Sequence, residues 1–552
     1  MFRVFKIIWR FTGLIFLLVF FLWAAVWVFL VSSGGGVPDA ADKTIVRLVH
    51  SVSDEGVQAA FDSAAAEYEK INPDVKVVIQ SIPEKAYLQW TNVQLIGGKA
   101  PDIIQTLNRG DQMWEMLATR FFLPLTPHVN EINPHNKGTD LENTIWRDTY
   151  VDGMKGGYWF HLMEYYSVPL TIELSRIFYN KDLFRQVKGD DLPPENFQEW
   201  MDICRQIKDY SKENDLQVSP LATFYSPASL YGFFNSYFPV MTGGMIDEYD
   251  RGYNGIPDAT FILFGLIKGD FTLVNERFEA ALALLRELSE NFQPGFVSAQ
   301  SSQSRFMFIQ NKAAMIKGSV KDARIFQENC NFEVGVFDYP IPRRDHPVYG
   351  KYVAGPVAES PVGQFHFGVS KVSKNPELAI DFLRFLSSRR INEEFNQSLV
   401  WYPVISGARP HDFLKAFKPN YEGVYRYPQL WQGGNVKLWW DQFYPRYLVG
   451  DLSFENFMKE YENIWLTKGV RDFIRRDVLY ENMLSQSEFG LAQARSKIIF
   501  PEAGELEKGS IVGEGTSYQL GMEVLNLMQH GISNRRYIWN KLQQEYNVVS
   551  DE

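Results

Sequence analysis

The sequence predicts an α/β protein with a parallel sheet, carried behind an N-terminal transmembrane helix. Three observations lead there: an uncharged apolar run from Phe11 to Val31, a strand–helix alternation that starts at Ile45, and a composition suited to a packed core. The chain has 552 residues, 45% hydrophobic and 22% charged, enough for several domains and too apolar for a disordered polymer. Its net charge of -11 argues against a nucleic-acid binder, whose affinity comes from Lys and Arg meeting phosphates. Two cysteines exclude a disulfide-stapled scaffold and a cysteine-based zinc module. The 14 Trp, 27 Tyr and 42 Phe make the chain unusually aromatic, and that content needs a structural use.

The apolar run comes first in the chain. As a helix, Phe11 to Val31 is about 31 Å long, the thickness of a bilayer's hydrocarbon core. Arg3, Lys6 and Arg10 precede it, and Asp39 and Asp42 follow. The excess of positive charge keeps the N-terminus in the cytoplasm and exports the rest, to the periplasmic or extracellular face of the membrane. A cleaved signal peptide is the rival, with Val31 and Ser33 as passable small residues before a cut. An uncleaved anchor is favoured, because the run exceeds a signal peptide's usual apolar length and contains Trp23 and Trp27. Ser32 to Gly36 then forms a flexible tether, so residues 1–42 constitute anchor or signal plus linker.

The alternation follows. Ile45–Val49 reads as a strand, and Val57, Ala60, Phe61, Ala64 and Tyr68 recur at helical spacing behind Ser53, a plausible N-cap. Asn72-Pro73-Asp74 punctuates before a second strand, Val75–Ile79; a helix over Glu84–Ile96 stops at Gly97-Gly98; Ile103-Ile104 is a third strand. This order predicts parallel strands with ligand loops beyond their carboxyl ends, here Ser51–Glu55 and Thr106–Asp111. Further on, Phe178–Phe184 runs from strand into helix. Pro193–Phe197 opens another helix carrying Trp200, Ile203 and Ile207, and Phe278–Leu288 is amphipathic. Lys312–Ile316 and Val334–Val336 are strands. Asn375-Pro376-Glu377 caps a helix whose apolar face is Leu378, Phe382, Phe385 and Leu386.

Several ordered segments resemble the extracellular solute-binding proteins of family 1, the carbohydrate-binding group. They are Tyr68–Val77, Ala100–Ile104, Leu123–Pro127, Val168–Leu170 through Tyr179–Phe184, Asn311–Met315, and Gly368–Lys371 through Asn375–Ala379. Each is short; their ordered recurrence from about residue 45 to 405 is what carries the resemblance. It implies the type II periplasmic-binding-protein-like fold: two α/β lobes joined by hinge strands and closing on a sugar. It places the first lobe at 43–170 and 303–368, and the second at 171–302 and 369–552, the latter with an extended C-terminal helical region.

A sugar offers hydroxyl edges and apolar faces, so its site needs planar polar groups and aromatic rings. The resemblance puts Ser53, Asp54 and Glu55 on the first contact loop, where they serve equally well as helix caps. Asn108, Arg109 and Asp111 follow the third strand; Arg109 can give two parallel hydrogen bonds, or make a surface ion pair. Trp114 is a stacking candidate, or a core residue of its helix. From the second lobe come Tyr225, Tyr231 and Lys317, and Trp401 and Tyr402 return toward the cleft. The family's tail after Ile405 is usually shorter. The aromatic stretch Tyr421–Tyr447 extends the groove, docks a partner, or packs as an added helical layer, the plainest of the three.

Motifs for phosphate binding, serine hydrolysis and zinc proteolysis are missing. No metal or cofactor is expected, and Cys204 and Cys330 are expected as free buried thiols in different lobes. The leading reading is a non-enzymatic, membrane-tethered receptor that delivers a carbohydrate to ABC transporter permease subunits. A glycan-active enzyme with paired carboxylates and a sensor subunit of a membrane signalling complex are the alternatives.

Overall fold

The computed structural model describes residues 43–51, 55–106, 118–159, 164–224, 227–245, 259–359, 362–424, 434–475 and 536–544, with a few single positions between and beyond them. The Phe11–Val31 run lies outside these; among the described residues no helix is long and apolar enough to cross a membrane.

Strands β1 (Thr44–His50), β2 (Val75–Ser81) and β3 (Ile103–Thr106) pair in parallel, linked by helices α1 (Glu55–Ile71) and α2 (Glu84–Ile96). The expected alternation is therefore present at the expected places. Val46, Leu48, Val57, Phe61 and Tyr68 are buried between sheet and α1, because one apolar stripe of the helix meets one face of the strands. A small hairpin, β4 (Tyr158–Trp159) and β5 (Glu164–Tyr165), precedes β6 (Val168–Ile172), all five residues of which are buried.

The chain then enters a second sheet with β7 (Ser175–Asn180). Asn180 ends the strand and caps the next helix by accepting from the Leu183 N–H. Helix α3 (Phe197–Glu213) buries Trp200, Ile203 and Ile207 as the spacing predicts. Strand β8 (Ser219–Ala222), helix α4 (Pro227–Thr242) and helix α5 (Glu276–Ser289) follow. Next come β9 (Ala313–Ser319), helix α6 (Val320–Asn329) and β10 (Val334–Phe337). The sheet order is β10-β7-β9-β8.

The return completes the first lobe. Strand β11 (Gly363–Val369) inserts between β3 and β6, helices α7 (Pro376–Leu386) and α8 (Arg389–Leu399) pack outside, and β12 (Tyr402–Pro403) adds the edge, giving β12-β6-β11-β3-β1-β2. Phe382 and Phe385 of α7 lie 5.0 and 5.3 Å from the Tyr68 ring of α1. Asn375 does not cap α7 through its side chain; its amide reaches the Ile45 carbonyl instead, tying the helix start to β1.

The exchange points between the lobes differ from those expected. Residues 313–337, assigned to the first lobe, are strands of the second sheet, because β9 and β10 both take β7 as their hydrogen-bond partner. Residues 369–403, assigned to the second, belong to the first, because α7 and α8 bury their apolar faces against α1 and β6. Both cysteines thus sit in the second lobe, on opposite faces of its sheet. Both thiols are free; Cys204 is buried and Cys330 half-buried, and burial pushes each up to about 12.

From Gly434 onward the described part of the aromatic stretch forms an added helical layer. Helices α9 (Gly434–Leu448) and α10 (Phe454–Ile464) bury Trp440, Tyr444, Tyr447, Phe457 and Tyr461 in the core of the second lobe, next to Phe234 of α4.

Candidate binding cleft

The strand registers locate the cleft. Strand β11 is antiparallel to both β3 and β6, so β6 runs with β1–β3 and ends at Ile172 on their carboxyl side. Two residues connect Ile172 to Ser175, the start of β7. Strands β9 and β10 are antiparallel to β7, and β8 is parallel to β9, so these three also end where β7 begins. The carboxyl ends of β1–β3 and of β8–β10 therefore face the same junction from opposite lobes. Loops there collect backbone donors and side chains for a ligand.

Each lobe fixes one of these strand ends with a buried glutamine. Gln105, on β3, accepts from the Ser51 N–H and hydroxyl (2.7 and 3.1 Å), holding the exit of β1; its carbonyl accepts from Tyr87 at 2.6 Å. Gln293 accepts from the Thr223 N–H at 2.8 Å and donates back to the Thr223 carbonyl, which also accepts from Ser304 at 2.5 Å. Neither glutamine stands out in the sequence.

Three chain segments cross between the lobes: 172–175, the stretch from β10 to β11, and the stretch after β12. They meet at Arg176, whose side chain is completely buried. Its guanidinium forks onto Glu359 at 2.7 and 2.9 Å, and donates to the carbonyls of Ser175, Ala416 and Lys418 at 2.8, 2.9 and 3.1 Å. Burial disfavours the charge, but the Glu359 hydrogen bonds and the Asp338 charge outweigh it and hold Arg176 above the ordinary arginine value. Glu359 in turn accepts from the Asn420 N–H at 2.8 Å. One residue thus ties all three crossings together. A lone charge inside an otherwise apolar strand, Arg176-Ile177-Phe178, was the only signal for it.

Most of the sequence-predicted contacts lie outside the described residues: Ser53, Asp54, Asn108, Arg109, Asp111, Trp114 and Tyr225. Glu55 heads α1 and Tyr231 lies in the second turn of α4; their side chains are outside the described set. Lys317 lies two residues before the end of β9, its Nζ 5.9 Å from the Phe233 ring centroid of α4. Trp401 is only 4% exposed, packed edge-on to Phe365 at 5.3 Å, with the Lys321 ammonium of the second lobe 5.9 Å above its ring. A sugar reaches that ring only if Lys321 moves. Tyr402 is half-buried at the third crossing, where burial raises its hydroxyl pKa, Tyr421 adds to the rise and Arg176 opposes it. Tyr421, 51% exposed, was weighed only as part of the tail, yet it stands beside the crossing.

Residues 53–393 match the bacterial extracellular solute-binding proteins, well over half of the chain. The chain belongs to that family. Its relatives include a multiple sugar-binding protein of Streptococcus mutans, 22% identical over 61% of this chain and 70% of that protein. A galactooligosaccharide-binding protein of Bacillus subtilis is 23% identical over 59% of this chain and 65% of its own. Among solved structures, the apo form of RafE from Streptococcus pneumoniae superposes with a TM-score of 0.52 at 15% identity, covering 77% of this chain and 98% of RafE. The GacH receptor of Streptomyces glaucescens gives 0.50 at 17% identity, covering 77% and 97%. These likenesses establish the two-lobed solute-binding fold, and the lobes described above are those of this family.

Proposed function

We propose that this solute-binding protein captures a carbohydrate by hinge closure and hands it to the permease subunits of an ABC importer, acting without catalysis. The Phe11–Val31 helix tethers it, with both lobes on the periplasmic or extracellular face of the membrane. One observation carries the reading: two sheets aim the carboxyl ends of three strands each at a junction crossed three times by the chain. The relatives named for multiple sugars and for galactooligosaccharides support a saccharide as the guest.

In this reading Ser53, Asp54, Glu55, Asn108, Arg109, Asp111 and Trp114 receive the ligand from the first lobe. Tyr225, Tyr231 and Lys317 receive it from the second, and Tyr402 with Trp401 lines the crossing. A ligand touching both sets binds the closed arrangement better than the open one, and that difference is what shifts the population. The permease then recognises the closed form. Isothermal titration of the folded chain with a panel of mono- and oligosaccharides is expected to show saturable binding. Silence across the panel overturns the proposal.

A further inference from the structure

We infer that the guest is an anionic saccharide, carrying a carboxylate or a sulfate ester, and that Lys317 receives its negative group. This rests on the carbohydrate reading above and narrows it to a substrate class.

Near the junction the second lobe carries Arg176, fully buried, and Lys317, half-buried, and it treats them differently. Arg176 is compensated in full by Glu359 and three carbonyls. Lys317 makes no hydrogen bond or ion pair among the described residues; its ammonium faces the Phe233 ring at 5.9 Å. The nearest carboxylates are engaged elsewhere. Asp322 pairs with Arg305 at 2.8 Å and accepts from the Ser319 N–H at 2.8 Å, and Glu173 pairs with Lys321 at 2.9 Å. Gly232 of α4 lies against the ammonium: a Cβ there would stand 2.3 Å from Nζ and would oblige the end of the lysine side chain to shift. Burial presses the Lys317 pKa below the ordinary lysine range, against the pull of Asp322 and Glu173.

A half-buried ammonium with three donors and no protein acceptor among the described residues is open to an acceptor that enters from the cleft. A sugar hydroxyl satisfies a donor; a carboxylate or sulfate oxygen also neutralises the charge, through a shorter and stronger bond. The position, near the carboxyl end of β9, is where a ligand entering the cleft arrives.

The test titrates the full chain with oligogalacturonides and their carboxyl-reduced counterparts, and with a sulfated oligosaccharide and its desulfated form. The wild type is expected to bind one anionic member at least about tenfold more tightly than its neutral partner. Which series shows the preference separates carboxylate from sulfate. K317M is expected to weaken the anionic member by about tenfold, more than its neutral partner, and so to erase the preference, and K317R to keep most of it. Thermal unfolding of each variant reports whether it is folded. Equal or tighter binding of the neutral partners overturns the inference, as does K317M weakening both partners alike; either result leaves the carbohydrate reading standing. Failure of every saccharide, neutral or charged, to bind the folded wild type overturns that reading and this inference together.

Discussion

Replacing Arg176 with methionine is expected to destabilise the protein by about 3–5 kcal/mol, the usual consequence of breaking a buried, hydrogen-bonded ion pair. The cost comes from what is left behind. Without the guanidinium, Glu359 keeps a carboxylate facing a site that its partner filled, and the carbonyls of Ala416 and Lys418 lose their donor. E359Q is expected to be milder, because the amide still accepts from Arg176 and Asp338, 3.5 Å away, remains as a counter-charge. Urea unfolding of the wild type, R176M, E359Q and the double variant measures the coupling directly. A second consequence is specific to the position. Arg176 unites all three crossings, so R176M is expected to weaken ligand affinity more than a core variant of equal stability loss. Equal affinities in wild type and R176M would show that the cluster only stabilises the fold.

Trp440→Ala is expected to cost about 3–5 kcal/mol, the range for deleting a large buried aromatic side chain. Trp440 is fully buried, with Tyr461 at 4.9 Å, Tyr444 at 5.1 Å, Phe457 at 5.3 Å and Phe234 at 5.6 Å. Three of those rings belong to the added layer and one to α4, so the cavity opens at the seam between tail and lobe. The expected readout is a lower urea midpoint for the second lobe with ligand specificity unchanged. A variant as stable as the wild type would mean that the aromatic tail is not part of that core.

The alternation of strands and helices was legible in the first hundred residues because period, Pro and Gly all agree there. Val75 follows Asn72-Pro73-Asp74, and α2 stops at Gly97, where the punctuation says each should. The exchange points between lobes were not legible. Ala313-Ala314-Met315-Ile316 is small and apolar and suits the interior of either sheet; only its pairing with β7 and β8 decides, and pairing is a long-range property. The cleft shows the same division. The ends of β1 and β3 could be placed from local pattern, whereas Arg176 and Glu359 are 183 residues apart and neither announces the other. The tail's aromatics left an added layer as the plainest of three readings; its attachment to the second lobe depends on contacts with Phe234 that no local pattern encodes.

The central claim is mechanical: a saccharide bridges loops from two lobes and holds them shut. Small-angle X-ray scattering of the purified protein, with and without a saccharide whose binding calorimetry has established, tests it most directly. Closure predicts a smaller radius of gyration and a contracted distance distribution at saturation. Superimposable profiles with the ligand demonstrably bound would contradict the account.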